Sequence, residues 1–385
     1  MTIFLKLCDP FRQVISEVSS EEGWHSISHL SKLHGVTPFL YYRARSLGIK
    51  LPEQIEKEWL GIYLYQIAEE KKARQQIKEL KEILDPEGIP FILLKGASAM
   101  LRLYPQSGLR TFVDLDILIP PDKVTHFKKV MTTVGYKPIA SSSSPEGEEL
   151  HKFNGHLNPF WKEKRFLIEP HVNILGGKGF HLIAVPEIWQ EKEETNTDGF
   201  SVDHLRKETF VIHMLLHCAK DLSNAGFGQI KGLIDVLYAL RVWSIDWSKV
   251  CDIAQKWGIE KDILPVIATL NQYWKVQITL PIASEPIAPD ILVLGVKDQQ
   301  KHYYAKLPAS CLTRVLKTKE LPNYAFGIHY LLHVLFPIRK NLRWRYGLSS
   351  KWSIVPYYFV HLVVTSRKIF AGLWYRVLYH PKTTQ

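Results

Sequence analysis

Cysteine is scarce in this chain: four residues in 385, Cys8, Cys218, Cys251 and Cys311, far apart and without a Cys-x-x-Cys pair. That distribution argues against a disulfide framework or a zinc knuckle and fits a reducing, cytoplasmic setting. Long apolar runs are also missing. The longest, Trp352 to Thr365, is too short to span a bilayer and is broken by Pro356 and His361, so no transmembrane segment is expected. Met-Thr-Ile-Phe-Leu-Lys at the start has no apolar stretch behind a basic one, so no signal peptide is expected either. Leu175-Gly-Gly-Lys-Gly-Phe180 lacks the spacing and the Ser/Thr of a phosphate loop and reads as a flexible connection. His213 and His217 stand at i, i+4 in a helical pattern, but Met214 sits where a zinc hydrolase carries Glu, so core or hydrogen-bonded histidines are expected.

Acidic residues are missing from one end. From Lys301 to Gln385 there are fourteen Lys or Arg and one acid, Glu320, a local charge of +13 in a chain of +11 overall. The rest of the chain is therefore close to neutral. A basic, Trp- and Tyr-rich C-terminal region points to an acidic partner: a nucleotide, a nucleic acid or an anionic membrane surface. The alternative is a solvated helical surface whose Lys and Arg stems cover an apolar core.

What is present is organised around Phe91-Ile-Leu-Leu-Lys95-Gly96-Ala97-Ser98 and Leu109-Arg110-Thr-Phe-Val-Asp114-Leu-Asp116-Ile-Leu-Ile119. These read as an apolar strand, a tight Gly turn into a short helix over 97–104, and a second strand over 112–119 carrying two carboxylates. Strand side chains alternate, so Asp114 and Asp116 share one face while Leu115 and Ile117 point into the core. Neighbouring carboxylates repel and are costly to bury without a cation between them. A hard, oxygen-seeking ion such as Mg2+ suits them, and beside a Gly turn and basic residues the pattern points to phosphate chemistry.

Around this unit, residues 1 to about 50 read as short helices, and a long helix runs from Pro52 to Leu84 with Ile77, Leu80 and Leu84 on one face. A hairpin is expected around Lys162-Glu-Lys164, and its second strand holds Glu169 and His171 on one face. Gln190 to Asp198 reads as an acidic exposed loop closing the central unit, and the chain reads as helical from about Ser201. The expected fold class is α+β, a small mixed sheet over 87–200 flanked by helical regions over 1–86 and 201–385.

Leu94-Lys95-Gly96, Leu103-Tyr104-Pro105, Gly108-x-Arg110 and Asp114-Leu-Asp116-Ile-Leu-Ile resemble the bacterial uncharacterised nucleotidyltransferase family, within the DNA polymerase beta superfamily. The basic segments after Leu332 resemble that family's C-terminal helices. The resemblance implies transfer of a nucleoside monophosphate from an NTP to an acceptor with two divalent ions, Mg2+ or Mn2+. It places Asp114, Asp116 and Glu169 as metal ligands, although relatives more often carry Asp at the position of Glu169. It gives Lys95, Gly96, Ser98 and Arg110 roles at the nucleotide. His171, His217, Lys231 and Asp235 line the acceptor side, or else form a buried polar network that fixes helix packing. The rival readings are a nucleotide-binding module without catalysis, and a nucleic-acid or membrane-surface binder working through the basic end.

Overall fold

The computed structural model describes residues 2–13, 20–139, 155–174, 185–197, 199–225, 230–279, 284–287, 336, 355–364 and 366. The Gly-rich stretch 175–180, the serine run 141–144 and most of the basic C-terminal region lie outside them.

Four helices come first: α1 (Thr2–Leu7), α2 (Glu21–Leu33), α3 (Thr37–Ser46) and α4 (Glu53–Leu84). Ser20 caps α2 by accepting the Gly23 N–H, and two acids follow in its first turn, the arrangement that satisfies a helix's free donors and its dipole. Pro52 is the residue just outside α4 rather than its first helical position. Over 32 residues α4 repeats buried positions at Ile55, Trp59, Gln66, Glu70, Ala73, Ile77, Leu80 and Leu84, a stripe at three- and four-residue spacing apart from one seven-residue step between Trp59 and Gln66.

The sheet has seven strands in the order β3-β4-β5-β2-β1-β7-β6. They are β1 (Ile92–Leu93), β2 (Asp114–Leu118), β3 (Lys137–Pro138), β4 (Phe160–Trp161), β5 (Leu167–His171), β6 (Lys192–Thr197) and β7 (Phe200–Leu205). Pairing is mixed: β2 runs parallel to β5 and β1 parallel to β7, while β1 and β2 are antiparallel. Helix α5 (Lys95–Arg102) links β1 to β2, α6 (Val124–Thr133) follows β2, and α7 (Val185–Gln190) precedes β6. The expected hairpin around Lys162–Lys164 is present as β4 and β5. The expected loop at 190–198 is instead a strand, β6, and the segment after it is a second strand; the helix begins at Lys207. As the sheet's edge, β6 has a partner on one side only and can carry Lys-Glu-Glu-Thr-Asn-Thr, a sequence without apolar alternation.

Alternation divides the strands between two cores. Leu93, Leu115, Ile117 and Ile168 face α4 and α6, meeting Ile77, Leu80, Phe127 and Met131. Ile92, Leu118 and Leu205 face the other way and meet Phe210, Met214 and Leu215 of α8 (Lys207–Ala225). Behind α8 stand α9 (Ile230–Val242), α10 (Trp247–Lys256) and α11 (Glu260–Trp274). The N-terminal helices join this second core: the Trp274 indole donates to Leu5 O at 3.1 Å, and Phe39 stacks edge-on against Tyr238. Since Asp114, Asp116 and Leu118 share a face, the carboxylates lie on the side covered by α8.

Gly108 fastens α4 to the segment entering β2. Its φ of 81° is a left-handed value, its N–H donates to Glu70 Oε2 at 2.7 Å, and an added Cβ would lie 2.5 Å from Ile67 Cγ1 and 3.1 Å from Ile67 N. Gly108→Ala is expected to cost about 2 to 4 kcal/mol, from left-handed strain plus overpacking against backbone. A urea-unfolding midpoint unchanged from wild type would show that this contact does not matter.

Candidate active site

The site is built on two adjacent strands. β2 and β5 pair in parallel with Asp114 opposite Leu167, Asp116 opposite Glu169 and Leu118 opposite His171. Paired strands are about 4.8 Å apart, so this register alone sets the Asp116 and Glu169 carboxylates side by side. Ligand atoms of Asp116, Glu169 and His171 all lie within 4.8 Å of one another. Asp114 and Glu169 are half-buried, whereas Asp116 and His171 are buried.

Asp116 is the electrostatic centre. Its Oδ1 accepts from Lys95 Nζ at 2.6 Å and lies 2.8 Å from His171 Nε2. Burial alone would raise its pKa, but Lys95 and His171 outweigh burial and hold the carboxyl well below the usual carboxylate range. Asp114 moves the other way: burial and the neighbouring Asp116 charge raise it, against the pull of Lys95 and Lys231. Lys95 would be lowered by its burial, yet Asp116, Glu169 and Asp114 together raise it, so it stays an ammonium. Lys95 reaches this position from a left-handed backbone, φ 43°, at the strand-to-helix turn. Such a conformation costs a lysine roughly 1–2 kcal/mol and is sustained here by the surrounding contacts.

The other candidates separate into two groups. Gly96 follows in the first turn of α5, where a Cβ would lie 3.3 Å from Arg110 Nη2. The Arg110 guanidinium is turned toward α9, bidentate on Asp235 with Nε–Oδ1 at 2.8 Å and Nη2–Oδ2 at 2.7 Å. Tyr104 donates to the same Oδ1 at 2.6 Å. Ser98 is fully buried, and its hydroxyl meets His204 Nδ1 at 2.9 Å; its N–H already donates to Leu94 O. The α5 donors left to a ligand are therefore those of the preceding residues of the first turn. From α9, Lys231 stands near enough to Asp114 to lower its pKa. From α8, His217 is half-buried and His213 is buried. His213 carries an Nδ1 without a hydrogen-bond partner among the described residues, and its imidazole is held neutral by burial and by Lys95, His217 and His171. Sequence spacing marks His213 as a core or hydrogen-bonded histidine; its nearness to the carboxylates follows from α8 packing across the sheet.

His34 and His204 make the fold acid-sensitive. Burial lowers His34 to about 4, and burial with the nearby Arg102 lowers His204 to about 3, from an ordinary value of 6.5. Both are neutral when folded and take up a proton on unfolding below pH 6.5. The stability they permit is intact above that pH and is lost as pH falls toward their folded values. Each contributes a slope of up to about 1.4 kcal/mol per pH unit in that window. Urea unfolding at pH 7, 6 and 5 checks this; equal stability at all three would contradict it, and His204→Gln should show a shallower slope.

Paired carboxylates on neighbouring strands thus stand beside a basic strand-to-helix turn. The chain belongs to the uncharacterised nucleotidyltransferase family, whose model matches residues 20–275. The basic C-terminal region lies beyond that match. Among solved structures the chain is similar to an antigenic nucleotidyltransferase-like protein from Paracoccidioides brasiliensis, at 14% identity and a TM-score of 0.35, over 55% of this chain and 95% of that one. No curated protein matches it.

Proposed function

We propose that the protein transfers a nucleoside monophosphate from an NTP to an acceptor hydroxyl, releasing pyrophosphate, with Asp114, Asp116 and Glu169 holding Mg2+ or Mn2+. The observation that carries this reading is the β2–β5 register, which sets Asp116 against Glu169 with Asp114 one step along the same face. The donors suit such an ion: the Asp116 and Glu169 carboxylates offer hard oxygen, and the imidazole of His171 clustered with them is a ligand that Mn2+ accepts, while Asp114 stands outside that cluster. When bound, divalent ions neutralise triphosphate charge and acidify the acceptor hydroxyl.

The chain's own residues supply the rest. Lys95 and His171 keep Asp116 ionised and fixed in orientation, so its charge is in place before substrate arrives. The first turn of α5 points backbone N–H groups and its dipole at the phosphates. Glu169, half-buried, takes the acceptor proton as the acceptor oxygen bonds to the α-phosphorus and the bond to the β-phosphate oxygen breaks. Lys231 near Asp114 and His171 near Asp116, with His217 of α8, are assigned to the side where the acceptor enters.

A thermal-shift titration with ATP, GTP, CTP and UTP, with and without Mg2+ or Mn2+, tests the reading. At least one NTP should raise the midpoint only when metal is present, since a ligand at 100 times its Kd adds about 2.7 kcal/mol to the folded state. No shift with any NTP in either metal would count against the proposal.

A further inference from the structure

Residues 355–364 form a helix, α12, whose water-facing half is entirely apolar. Val355 and Phe359 are 60% and 68% exposed, and Val360, Val363 and Val364 are exposed with them. At 100° per residue these five positions and the exposed Pro356 fill one continuous half-turn of the helix surface. Tyr357, His361, Tyr358 and Leu362 fill the other half, where His361 is buried. A helix facing only water carries its polar residues outward; between 355 and 364 none of the exposed side chains is polar. An exposed apolar face of this kind is the mark of an interaction surface.

The sequence around it selects the occupant. Between 336 and 385 there are nine Lys or Arg and no Asp or Glu, with Trp344, Trp352, Trp374, Tyr346, Tyr375 and Tyr379 among them. Nucleic acid would use the cations but has no use for a half-turn of Val and Phe. An apolar protein partner would use the helix and leave the cations idle. An anionic bilayer uses both: valines and Phe359 enter the acyl boundary, Lys and Arg meet the phosphate headgroups, and Trp and Tyr suit the interface between them. Stable attachment takes two such signals together. Among the described residues no helix is long and apolar enough to cross a membrane.

We propose that the exposed face of α12, together with the basic residues that flank it in the sequence, docks the protein onto an anionic membrane surface. The test is co-flotation of the full-length chain with vesicles of phosphatidylcholine alone or mixed with phosphatidylglycerol at roughly 7:3, in low and high salt. Wild type should float with the anionic vesicles, stay down with the neutral ones, and bind more weakly in high salt. Phe359→Asp/Val363→Asp should lower the bound fraction at least about tenfold while leaving the melting midpoint unchanged, because both side chains are already exposed. Absence of wild-type flotation overturns the proposal. So does equal flotation of the double variant, which would leave α12 without a part in binding. Size-exclusion chromatography supplies the third contradicting outcome: a wild-type dimer that becomes monomeric in the variant, with no flotation, would assign the face to a second copy of the chain.

Discussion

Asp116→Asn is expected to abolish the metal-dependent nucleotide shift and to lower any turnover by about a thousandfold or more, the rate equivalent of the several kcal/mol that bound metal supplies. The substitution keeps the side chain's shape and removes its charge. Asp116 faces Glu169 across the β2–β5 pair and accepts from Lys95 and lies within hydrogen-bond distance of His171, so its charge organises three neighbours at once. Losing it leaves Lys95, itself largely buried, facing a neutral amide, and the resting stability should fall as well. Two readouts separate these effects. The midpoint without ligand reports the lost ion pair, and the further rise on adding NTP and metal reports the site. Glu169→Gln serves as the companion variant: Glu169 is half-buried, so it should affect the ligand-dependent rise more than the resting midpoint. If Asp116→Asn keeps a full metal-dependent shift, Asp116 is not a metal ligand and the proposed reaction loses its central residue.

The parts of this site that were legible in the sequence are those set by local geometry. Period-two alternation put Asp114 and Asp116 on one face, and Glu169 and His171 on one face, without any knowledge of the fold. The α4 stripe was legible for the same reason, at period 3.6. Pairing was not legible, because register between strands is settled by contacts far apart in the chain: Asp116 and Glu169 become neighbours only when β5 docks beside β2. The β6–β7 hairpin was misread because an edge strand exposes so much of itself that its side chains need not alternate, and Lys-Glu-Glu-Thr-Asn-Thr looks like a loop. That misreading hid His204, which reaches Ser98 from β7. Ser98 looked like a phosphate donor because it follows a Gly turn; the helix begins at Lys95, two residues earlier than expected, and that phase turns the hydroxyl into the core.

Breaking the Arg110–Asp235 pair is expected to have the largest effect on stability. Asp235 is fully buried in α9 and takes hydrogen bonds from Arg110 Nε and Nη2 and from the Tyr104 hydroxyl. Burial works against the Arg110 charge, and Asp235 more than restores it. Asp235→Leu would strand a guanidinium without a counter-charge, and Arg110→Met would strand a carboxylate; each is expected to cost about 3–5 kcal/mol. The double variant should cost less than either single one, since it removes both charges and leaves apolar groups in their place. Stability alone does not exhaust the pair's role. The guanidinium lies against Gly96, in the helical turn that carries Lys95, and its backbone carbonyl is held by Gln66 of α4. The pair thus joins three elements, α4, α5 and α9, beneath the turn that carries Lys95. Relieving the buried charge should therefore recover stability without recovering nucleotide affinity, because no apolar side chain reproduces the flat, bidentate group on which Gly96 rests. Urea unfolding of the two single variants and the double variant measures the first effect, and the metal-dependent NTP shift of the double variant measures the second. Single variants within about 1 kcal/mol of wild type would refute the structural role. A double variant with wild-type nucleotide affinity would refute the link from this pair to the site.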